Sequence, residues 1–230
     1  MIIIKKYQYP FLMKTNIGER RIYLTKDGKL PSVTTILSET DNNENLKKWK
    51  QSVGEEKAKQ IIKESLNLGS LIHEKIEKYI KKEDYKNDNK TNLIYKLSND
   101  MANKILNEIL EKNLEEVWGL EETIYFPKKY AGTIDCVGVY KGKETIIDFK
   151  SSKKIKSEDM IKNYFLQVCA YINAHNKLLN TNIKNGLIIM VSRDYDLKIF
   201  EINEENYYIY NEMWEKKLDE WISKNRKNNN

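Results

Sequence analysis

Cysteine and histidine are scarce in this chain of 230 residues, with two of each. Cys136 and Cys169 both sit inside apolar runs, where a free thiol behaves as a small buried hydrophobe. Two thiols cannot hold an iron–sulfur cluster that needs four. The same scarcity argues against a structural zinc site. Nothing suggests a disulfide framework, which fits a reducing compartment. Long apolar runs are missing too. No stretch approaches the ~20 apolar residues that span a bilayer. Met1-Ile-Ile-Ile-Lys-Lys is too short for a signal peptide and carries its charges after the apolar run. The expectation is a soluble, intracellular, cytoplasmic protein with no membrane partner.

A large excess of one charge sign is also lacking. The formal net charge is +6, carried mostly by lysine. That permits a nucleic-acid partner without requiring one. Abundant Lys, Asn and Ile would equally follow from an AT-rich genome. The length suits one domain with a sizeable core. The chain therefore reads as a single domain over 1–230, with N-terminal strands and helices over 1–67, a core over 68–202, and a terminal helix and polar tail over 203–230. No internal repeat is visible.

Along the chain, Met1–Ile4 and Arg21–Leu24 are short β-type pieces. Pro31 and Ser32 suit a helix start. Leu46–Glu64 predicts an amphipathic helix with Trp49 on its apolar side and six lysines opposite, more simply a solvated face than a phosphate track. Leu68–Ile80 predicts a second helix, with Leu68, Leu71, Ile72, Ile76, Tyr79 and Ile80 on one stripe and His73 at its edge. Residues 81–92 read as a polar loop, and Leu93–Lys112 as another helix. Strands then follow at Glu121–Phe126, Gly132–Tyr140 and Lys143–Phe149, the last two joined by a tight turn at Lys141-Gly142. A helix over Ser157–Leu179, strands at Gly186–Val191 and Leu197–Ile202, and a terminal helix to about Trp221 complete the pattern. It predicts an α/β fold, a mixed sheet flanked by helices.

The chemistry concentrates on Asp135, Asp148 and Lys150. Asp-x-Lys occurs five times, so the bare pattern is weak. Asp27-Lys29, Asp84-Lys86, Asp88-Lys90 and Asp196-Lys198 fall among turn or charged residues. Only Asp148-Lys150 ends an apolar β-type run and has an aspartate, Asp135, on the run before it. Strand alternation puts Asp148 and Lys150 on one side and Phe149 on the other. Two carboxylates, a lysine and a hard divalent cation are the parts that cut a phosphodiester with water.

Four ordered pieces resemble the PD-(D/E)XK nuclease superfamily. They are Gly69-Ser-Leu-Ile-His73, Gly132-Thr-Ile-Asp135, Asp148-Phe-Lys150-Ser-Ser and Gln167-x-x-x-Tyr171. Within it the chain is most similar to the RecB-like exonuclease branch, which takes in mitochondrial genome-maintenance and phage nucleases. Pro31-Ser-Val-Thr and Trp49 also fit that branch, and the likeness runs from about Pro31 to Val191. Ile134 stands where the superfamily name has proline, which is ordinary for the branch. The cysteine set of its iron–sulfur members is absent.

The resemblance implies a restriction-endonuclease-like core with N-terminal helical additions, acting on DNA with Mg²⁺ or Mn²⁺ and no iron–sulfur cluster. Asp135 and Asp148 would be metal ligands, with the Phe149 carbonyl beside them. His73, which alone would read as an ordinary half-buried histidine, would add a nitrogen ligand or steer a water. Glu122 is a further acidic candidate. Glu121 competes for that role, and alternation does not choose between them. Lys150 would orient water and stabilise developing charge. Gln167 and Tyr171, four apart on one helix face, would hold the DNA backbone or lock the Asp-x-Lys strand; a packed Tyr171 and a solvated Gln167 are equally simple readings. Ser151, Lys153, Lys154 and Lys156 follow the motif and could meet phosphates. A preference for single-stranded or free DNA ends is implied by the resemblance alone. A structure-specific or restriction-type endonuclease, and a binding module without catalysis, are the alternatives.

Overall fold

The computed structural model describes residues 1–42, 44–83 and 92–227. A short β1 (Ile2–Ile3) is followed by a small antiparallel sheet of β2 (Met13–Ile17), β3 (Arg20–Thr25) and β4 (Gly28–Pro31). Asp27 sits in the β3–β4 turn. Ser32 then starts α1 (Val33–Thr40), its Oγ accepting from the Thr35 backbone N–H at 3.0 Å. That is the capping bond expected of a serine at this position.

The two helices expected over Leu46–Glu64 and Leu68–Ile80 are divided elsewhere. The break falls at Gly54, whose φ of 84° cannot continue a helix. It separates α2 (Glu44–Val53) from α3 (Glu55–Lys81), which runs unbroken for 27 residues. No proline interrupts the stretch between Glu64 and Leu68, so the long helix carries straight through it. Of the polar loop expected over 81–92, residues 84–91 lie outside the described residues, and with them Asp84-Lys86 and Asp88-Lys90. The helix expected over Leu93–Lys112 is α4 (Leu93–Ile105), a π-helical turn at Leu106–Leu110, and a last turn, α5 (Glu111–Asn113).

The main sheet follows. It comprises β5 (Leu114–Phe126), β6 (Tyr130–Tyr140), β7 (Lys143–Ser152), β8 (Asn185–Ser192) and β9 (Leu197–Ile202), with α6 (Lys162–Leu179) crossing between β7 and β8 and α7 (Glu204–Lys227) closing the chain. The spatial order is β1-β5-β6-β7-β8-β9. Neighbours are antiparallel except β1 with β5 and β7 with β8. This is the mixed α/β sheet flanked by helices that the pattern predicts. β5 begins well before the expected Glu121. Two register shifts, between Leu114 and Glu116 and between Val117 and Gly119, break its alternation and hide it from a period-two reading.

The sheet separates two apolar cores. Ile146, Ile188 and Met190 pack with α1, α6 and α7, around the fully buried Trp214. Ile147, Phe149 and Ile189 pack on the other side with α3 and α4. Between these layers β6 and β7 pair only from Tyr140↔Lys143 to Cys136↔Ile147. Beyond that point β6 continues against β5, and β7 against β8. The fork so formed is filled from α6 by Tyr171. Its ring lies so close to β6 that a Cβ on Gly132 would sit 2.4 Å from Tyr171 Cε1. Glycine is required there for close approach.

Candidate active site

The fork collects the polar residues. Asp135 comes from β6, just past the last β6–β7 pair, and its Oδ2 accepts from the Phe149 backbone N–H at 2.8 Å. The carboxylate thus takes the place of a missing ladder bond. Asp148 and Lys150 project on the α6 side of β7, while the Phe149 ring is buried among α3 and α4 residues. Asp148 is only 1 % exposed. Its Oδ1 accepts from Gln167 Nε2 at 2.9 Å, and its Oδ2 lies 2.5 Å from Lys150 Nζ. Gln167 also reaches the Tyr171 hydroxyl at 3.2 Å. Both α6 residues are buried; Gln167 bonds the Asp148 carboxylate and Tyr171 bonds Gln167.

His73 enters from α3. Its Nε2 donates to the Phe149 carbonyl at 3.0 Å. Its Nδ1 lies 3.2 Å from Glu121 Oε1 and 3.6 Å from Asp135 Oδ1. His73, Glu121 and Asp135 each offer a ligand atom, and these atoms all lie within 4.8 Å of one another. Glu121 has a left-handed backbone, φ 52°, uncommon for a residue with a side chain. The turn interrupts alternation between Leu120 and Glu122, which is why spacing could not choose between the two glutamates. Glu121 is the one that reaches His73. Glu122 lines the same cavity, and its carboxyl is held up by burial, with Lys81 opposing and Glu77 adding to the shift. Asp148 stands beside the three-residue group, its oxygens engaged by Gln167 and Lys150.

Nearby carboxylates outweigh burial at both cationic groups of the cluster. Burial alone would pull His73 down, yet Asp135 and the Glu121 hydrogen bond raise it to about 9. The two carboxylates favour the protonated ring, against the Lys150 ammonium. Burial pushes Asp148 up, against the pull of Lys150. Burial would lower Lys150, but Asp148 and Asp135 outweigh it and keep the ammonium charged. Oxygen and imidazole donors that draw positive charge in this way suit a hard divalent cation.

The cluster lies on the wall of an open cavity of about 1330 Å³. Ser151 and Lys153 line it, as does Lys156, whose ammonium donates to the Tyr164 hydroxyl at 3.3 Å. Lys154 is exposed and is not among the lining residues; its carbonyl accepts from Ser152 Oγ at 2.6 Å. Asp196, from a competing Asp-x-Lys, faces Ser192 in the β8–β9 turn. Two contributions escaped the sequence reading. Tyr164 places its ring 5.1 Å from Lys150 Nζ. A segment around Phe11 also lines the cavity. Neither carries a local signal. No helix of the described residues is long and apolar enough to cross a membrane.

No protein-family model matches the chain. It is 30% identical over 180 residues to mitochondrial genome maintenance exonuclease 1 of Xenopus tropicalis, covering 73% of this chain and 50% of that protein. The Homo sapiens protein of the same name is 28% identical over 177 residues, covering 72% and 50%. The chain therefore spans about half the length of the curated relatives it matches. A solved structure from Eubacterium rectale aligns with a TM-score of 0.49 and 13% identity, over 69% of this chain and 66% of its own. Over nearly three quarters of its own length, the chain is thus similar to the mitochondrial genome maintenance exonucleases.

Proposed function

We propose that this chain is a metal-dependent DNA exonuclease that hydrolyses phosphodiester bonds with Mg²⁺ or Mn²⁺ and prefers single-stranded ends. The observation that carries the reading is the convergence of His73, Glu121 and Asp135 beside the Asp148–Lys150 pair, on the wall of an open groove. Relatives named as exonucleases support the reaction class. The preference for single strands rests on the family resemblance.

In this reading His73, Glu121 and Asp135 hold the ion, and Asp148 and the Phe149 carbonyl complete the polar floor. When bound, a divalent cation acts as a Lewis acid and makes water a stronger nucleophile. The protein side chains do the rest. Gln167, braced by Tyr171, fixes the rotamer of Asp148. Asp148 in turn holds the Lys150 ammonium where negative charge builds on the phosphate. Ser151, Lys153 and Lys156 are placed to meet backbone phosphates, which would make affinity salt-sensitive. Lys154 is assigned a lesser part, since it does not line the groove.

The test uses circular and linear DNA, single- and double-stranded, with Mg²⁺ and then with EDTA. Linear single strands should shorten only with Mg²⁺, and circles should survive. Cleavage of circles would make the chain an endonuclease. Binding without cleavage of any substrate would make it a binding module.

A further inference from the structure

Phe11 is the most exposed large apolar side chain among the described residues, at 93 %. Its backbone is nevertheless pinned on both sides. The Pro10 carbonyl accepts from Thr123 Oγ1, and the Leu12 N–H donates to the same oxygen at 3.1 Å. Leu12 itself is buried, packed with Tyr23, Leu30 and Tyr125. Thr123 follows Glu121 and Glu122 on β5. A bare aromatic ring is therefore presented from a fixed point, two residues along the strand from a cluster carboxylate.

Phe11 lines the same cavity as that cluster. Trp49 and Leu66, the latter 68 % exposed, line it from α2 and α3. Lys14 and Arg21 supply positive charge near the Phe11 segment, as Lys153 and Lys156 do near β7. An exposed apolar patch on a held backbone marks a contact surface. Cations and flat rings lining one cavity fit one occupant best, a nucleotide strand whose phosphates meet the charges and whose bases are free to stack. Bases inside a duplex hide their faces and would gain little from the ring.

We propose that Phe11 is a stacking platform for one unpaired nucleobase of the strand entering the groove, and so sets where that strand sits relative to the His73–Glu121–Asp135 group. The proposal rests on the nuclease reading and adds a specific base-binding position to it.

The experiment measures binding of single-stranded oligonucleotides by anisotropy, with Ca²⁺ replacing Mg²⁺, and scans one abasic site along the strand. Wild type should show one position where base loss weakens binding about 5- to 150-fold, the range of base–aromatic stacking. Phe11→Ala should bind the intact strand more weakly by a similar factor and be indifferent to the abasic site at that position. Phe11→Trp should restore both affinity and abasic sensitivity. Wild-type affinity in Phe11→Ala overturns the proposal, as does an abasic penalty that the substitution leaves unchanged. The nuclease reading survives either result if wild type still degrades linear DNA with Mg²⁺. A wild type that neither binds nor cuts any DNA removes both.

Discussion

His73 should make the metal-free protein lose stability as pH rises through neutrality. The ring is held between Glu121 and Asp135, with its other nitrogen on the Phe149 carbonyl. Burial opposes the charge, but the two carboxylates win and raise the group from 6.5 to about 9. A pKa raised by folding stabilises the native state fully below the unfolded value and is lost as pH climbs through the folded value. The window therefore runs from 6.5 to about 9. At about 1.4 kcal/mol per tenfold change in proton affinity, that interval is worth about 3 kcal/mol. The ring is 26 % exposed, so solvent screening should leave about 2–3 kcal/mol. The assay is denaturant unfolding in EDTA from about pH 6 to about pH 9.5, on wild type and His73→Gln. The Cys136 and Cys169 thiols, pushed up by burial, also cost stability at the alkaline end, but equally in both proteins. The stability gap between the two proteins should shrink by about 2–3 kcal/mol across the window. A gap that does not change with pH would refute the reasoning, because it would mean the carboxylates do not hold a proton on His73.

Four further outcomes follow from the same contacts. Asp135→Asn or Asp148→Asn should abolish cleavage with an unchanged circular dichroism spectrum; near-native cleavage by Asp148→Asn rules out the site. Lys150→Ala should lose about 10²-fold or more in turnover, as for other groups that meet developing charge, while its DNA affinity in Ca²⁺ holds. Weakened binding at unchanged turnover would make Lys150 a docking residue instead. Glu121→Gln should raise the Mg²⁺ concentration for half-maximal activity more than Glu122→Gln does, and equal shifts in a metal titration would undo the choice between them. Gly132→Ala should lower stability by about 1–3 kcal/mol, the usual cost of overpacking, since the added carbon would meet the Tyr171 ring at 2.4 Å; an unchanged melt would show that α6 moves aside.

Much of the architecture was legible because its signals are local. Strand alternation, the Lys141-Gly142 turn and the Ser32 cap each need only a few neighbouring residues, and all three stand in the structure. Boundaries failed where a local rule was broken. Gly54 splits a helix that apolar spacing had joined, and two register shifts conceal the start of β5. The choice between Glu121 and Glu122 was closed to the sequence for the same reason, because one left-handed residue resets the alternation.

By itself, the sequence determined which residue types stand in a pattern suited to this chemistry. It singled out Asp135, Asp148, Lys150 and His73 by type and order, and it determined that strands and helices alternate into a mixed sheet. Only the tertiary structure decided which of those residues meet. Glu121 joins His73 and Asp135, Gln167 turns to Asp148, and Phe11 reaches the groove through Thr123. Each of these contacts joins segments far apart in the chain, and closing such loops leaves no periodic trace along it. Their positions are set by where β6 and β7 part and by what packs into the fork, and packing depends on the whole fold rather than on neighbours in sequence.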